Sequence, residues 1–106
     1  MSVTVNSELL RIIETNFSVG VNSSELDTES AFLNHLQLKL AERIKFFIRT
    51  DMDKLLQALY RIDVDDALSS KAFDQGEIGL VSTELAHLII TRQLQKLEYA
   101  RKFDKE

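Results

Sequence analysis

Three aspartates at the end of one helical pattern, Asp63, Asp65 and Asp66, are the densest cluster of carboxylates in this 106-residue sequence. Carboxylate oxygens are hard ligands suited to Mg²⁺ or Ca²⁺. A calcium-binding EF-hand loop, however, needs acidic residues at alternate positions, a central glycine and a distant glutamate. Here Ala67, Leu68, Ser69 and Ser70 follow the cluster. The spacing therefore fits helix capping and solvated charge, with Asp63 expected to cap the next helix.

A second candidate is Glu84 with His87. At a spacing of three the two side chains share one helical face, which is how di-iron helical bundles present ligands. Such bundles need the motif twice, with further glutamates. The sequence has it once, and His35 is preceded by Phe32 at the corresponding position. A metal-binding bundle through Glu84 and His87 therefore stands as an alternative that a homodimer would have to complete, and no metal or cofactor is assigned. Gly76-Glu77-Ile78-Gly79 matches the bare Gly-x-x-Gly pattern of KH loops. Its glutamate is unfavourable beside a phosphate backbone, so the segment is expected to be a turn or hinge.

Nucleophile elbows, phosphate-binding loops and dinucleotide fingerprints are absent from the sequence. Without cysteine, disulfides, thiolate metal sites and cysteine nucleophiles are excluded. With 13 basic against 17 acidic residues the net charge is −4, which is not the balance of a general nucleic-acid binder. One basic face, Lys39, Arg43, Lys45 and Arg49, offers a contact to nucleic acid or a membrane surface, although four cations over a few turns also describe a solvated face. Neither a signal peptide nor an apolar run of membrane-spanning length is legible. The expectation is a cytoplasmic, non-enzymatic protein.

The residues expected to carry function are Tyr60 and Arg61. A Tyr-Arg pair at a helix end supplies an amphipathic anchor and a bidentate donor, both enriched at interface hot spots. The competing expectation is internal, with Tyr60 in the core and Arg61 paired to Asp63 or a nearby carboxylate.

These side chains must be positioned by helices. The absence of proline and the presence of only three glycines disfavour a turn-rich β sandwich. The fold class expected is all-α, a bundle of four to five helices in one domain over residues 1–106, with residues 1–6 a flexible arm. Ser7 is the expected cap of a first helix, Glu8–Phe17, with Leu9, Leu10, Ile13 and Phe17 inward and Gly20 as terminator. A polar linker follows over Asn22–Asp27. Glu29–Arg49 is predicted as a second helix, capped by Thr28 or Ser30, on the stripe Leu33, Leu36, Leu40, Ile44, Phe47 and Ile48. Thr50 with Asp53 resembles a capping box for a third, with Met52, Leu55, Leu56, Leu59 and Tyr60 inward. This segment is expected at the middle of the packing. A fourth helix over Val64–Phe73 would bury Val64, Ala67, Leu68 and Phe73.

The last and longest helix is predicted to start at a Ser82 or Thr83 cap, with Ala86, Ile89, Ile90, Gln93, Leu94 and Leu97 inward. Leu85 and Leu88 widen its apolar face, which implies a partner and favours a homodimer. The surface expected to meet a protein partner is the groove between the third helix and the last. The runs Leu55–Val64 and Leu88–Lys96 resemble those of small uncharacterised bacterial all-helical proteins, over about half the chain. The resemblance implies a helical fold and brings no activity or ligand with it.

Overall fold

The structure, a computed structural model, describes residues 3–19 and 29–104, with side chains placed for 7–19 and 31–100. Among these residues there are five helices and no strand: α1 (Val3–Phe17), α2 (Glu29–Thr50), α3 (Met52–Arg61), α4 (Asp66–Phe73) and α5 (Ile78–Asp104). The all-α class follows directly. None of these helices is long and apolar enough to cross a membrane.

The hub is α5, not α3. It packs against α1, α2 and α4, most extensively against α2, whereas the main packing partner of α3 is α2. Leu85, Ala86 and Ile89 are fully buried, and Leu88, Leu94 and Leu97 are partly covered. The wide apolar face of α5 is thus covered largely within its own chain, because three helices rather than one lie against it. Facing it are Leu9, Ile13 and Phe17 of α1 and Leu36, Leu40 and Ile44 of α2, all completely buried and all on the stripes that helical spacing predicts. Phe32, one turn before Leu36, joins them.

Helix boundaries differ from expectation where local signals compete. Val3–Asn6 belong to α1, so these residues are helical and Ser7 lies inside the helix as an exposed residue, not at its cap. Extending an existing helix costs far less than nucleating one, and four alternating residues do not outweigh that. Ser30 likewise lies within α2, while Thr28, Gly20 and the Asn22–Asp27 linker lie outside the described residues. At the α2–α3 junction Asp51 is the cap: its carboxylate accepts from the Lys54 amide at 3.2 Å. The Thr50 hydroxyl instead donates back to the Phe46 carbonyl, closing α2.

Helix α5 starts four residues before its expected cap. Ser82 is buried in the core and its hydroxyl has no hydrogen-bond partner, while Gly79 lies in the first turn of the helix. Gly76 is the turn residue, with φ +83° directly after α4. The tight α4–α5 connection is therefore Asp74–Glu77, and of the two glycines only Gly76 needs the left-handed backbone. On α4 the buried positions are Ser69 and Ala72, whereas Ala67 and Leu68 are exposed and Phe73 is half-buried. Small residues face inward there and the larger Leu68 faces out, the reverse of a hydrophobicity-based assignment.

Candidate functional site

The C-terminal end of α3 is built as a Schellman motif without glycine. Asp63 takes φ +63°, the Val64 amide bonds the Leu59 carbonyl at 3.1 Å, and the Asp63 amide bonds the Tyr60 carbonyl at 3.1 Å. These are the six-to-one and five-to-two bonds that satisfy the last carbonyls of a helix. Leu59 and Val64 are both buried, supplying the hydrophobic contact that accompanies the motif. Aspartate tolerates the left-handed region better than most side chains.

Asp63 is held there by α5. Arg92 donates through Nη2 to the Asp63 carboxylate at 3.0 Å and through Nε to its carbonyl at 3.2 Å. The hydrogen bond from Arg92, then its charge, holds the Asp63 carboxyl below the ordinary aspartate value. Next to it, buried Gln93 donates to the Ile62 carbonyl at 2.8 Å. The space between the third helix and the last is accordingly bridged by the chain's own bonds at this end. Asp65, not Asp63, caps α4, accepting from the Ala67 and Leu68 amides at 2.8 and 3.1 Å.

What this corner leaves exposed is Tyr60, with 84% of its surface free. The tyrosine is therefore not a core residue. Arg61 is also exposed, and the carboxylate expected to pair with it, Asp63, pairs with Arg92 instead. The ring of Tyr60 borders a depression of 380 Å³ lined by Asp63, Val64, Asp65 and Asp66. Upstream on the same helix, Leu56 is 47% exposed and Met52 lies at the margin of exposure. Leu56 is hence not in the core: the buried positions of α3 are Leu55, Ala58 and Leu59. Met52, Leu56 and Tyr60 recur every four residues and form an exposed apolar stripe beside the buried face. The sequence signal for it was Ala58. Counting that small residue as core turns Leu56 outward.

The remaining candidates are not brought together. Glu84 and His87 are both exposed on α5. Among the described residues no group of three or more His, Cys, Asp or Glu side chains could hold a metal ion, the aspartate cluster included. The basic face of α2 is divided. Arg43 is half-buried, its guanidinium 4.7 Å from the Phe46 ring centre and 5.0 Å from that of Phe47, and its Nε donates to the Phe17 carbonyl at 3.0 Å. It closes the C-terminus of α1, a structural role. Lys45 is half-buried, leaving Lys39 and Arg49 exposed. Among the described residues the buried polar side chains are Ser69, Ser82 and Gln93, and none of them is ionisable. Compared with protein-family models, curated proteins and solved structures, the chain has no match.

Proposed function

We propose that this is a non-enzymatic cytoplasmic protein that works by contact with other proteins, its own copy included, through Tyr60 and Arg61 at the outer end of α3. The observation that carries this reading is the 84% exposure of Tyr60 on a rigidly capped helix end. A large amphipathic ring held by a Schellman motif presents contact area at little cost in side-chain entropy. Arg61 beside it keeps its donors available, since Arg92 occupies Asp63. Among the described residues no ionisable side chain is buried, which weighs against acid–base catalysis, a chemistry that relies on shifted pKa values in a water-poor site. No nucleic-acid partner is expected, because the basic face is broken up by the internal role of Arg43.

The test is capture of binding proteins from cell extract by immobilised wild-type protein and by Tyr60→Ala and Arg61→Ala variants. Both side chains are exposed, so both variants should melt with the wild type. Loss of a hot-spot tyrosine should weaken capture by about 30-fold, equivalent to about 2 kcal/mol. Identical capture profiles for all three proteins would remove this reading.

A further inference from the structure

We draw no further inference here: the strongest candidate, the exposed stripe of Met52, Leu56 and Tyr60 on α3, is an unpartnered apolar face, and nothing in the structure shows what covers it.

Discussion

Asp63 answers three demands at one position: a left-handed backbone, a carboxylate for Arg92 and a carbonyl for the same guanidinium. Glycine would meet the first but not the second, and alanine meets neither. Thermal melts should therefore rank Asp63→Ala below both Asp63→Gly and Asp63→Asn, since asparagine keeps the tolerance for positive φ. The carboxyl also has a pH signature. Its folded-state pKa is held below the ordinary value, so the pairing contributes fully above the unfolded aspartate value and is lost as acid protonates the carboxyl below it. Arg92→Ala should move the Asp63 titration, followed by NMR of its side-chain carboxyl, upward toward the ordinary range. An unchanged titration would mean that Arg92 does not set it. The local sequence could not assign this residue, because Arg92 lies 29 positions away. Asp63 looked like a cap for the helix that follows, and the cap is Asp65 two residues on.

At the scale of elements, the α4–α5 connection shows how two glycines in one motif differ. Gly76 sits at φ +83° with open space around a notional side chain, so an alanine there meets no clash and suffers only from its backbone. Gly79 is inside α5, and an alanine there would meet only the mobile end of the Glu77 side chain. Gly76→Ala should cost about 1–2 kcal/mol from the left-handed conformation. Gly79→Ala should be neutral or stabilising by up to about 1 kcal/mol from helix propensity. Chemical denaturation of the two variants checks both values, and opposite signs would identify the turn residue. For α3, a start signal was legible in Thr50 and Asp53, but the capping residue, Asp51, and the rotation of the helix were not. Met52, Leu55, Leu56 and Leu59 are all apolar, and the pattern becomes unique only once Ala58 is known to face the core.

The whole molecule is organised by α5, which three other helices cover. Truncation at its buried face should be far more damaging than truncation on α3. Ile89→Ala, at a fully buried position, should cost about 2–5 kcal/mol, while Tyr60→Ala should stay within about 0.5 kcal/mol of the wild type. Equal losses in urea denaturation would mean that Tyr60 is part of the core after all. The width of the α5 face, which in isolation implied a dimer through that helix, is accounted for by its neighbours within the chain. An exposed apolar stripe lies instead on α3, at Leu56 and Tyr60.

What the sequence determined by itself is the helical class, a bundle of four to five helices and most of the buried stripe on α1, α2 and α5. Those properties follow from local terms: breaker content, capping side chains and a three-to-four residue period. Tertiary structure alone decided which helix is the hub, which of the four apolar residues on α3 face out, and which aspartate is a cap and which an ion-pair partner. The physical reason is the same in each case. Burial and pairing depend on what another helix brings to the position, and the partners of Asp63 and Ile62, Arg92 and Gln93, are separated from them by all of α4 and about half of α5.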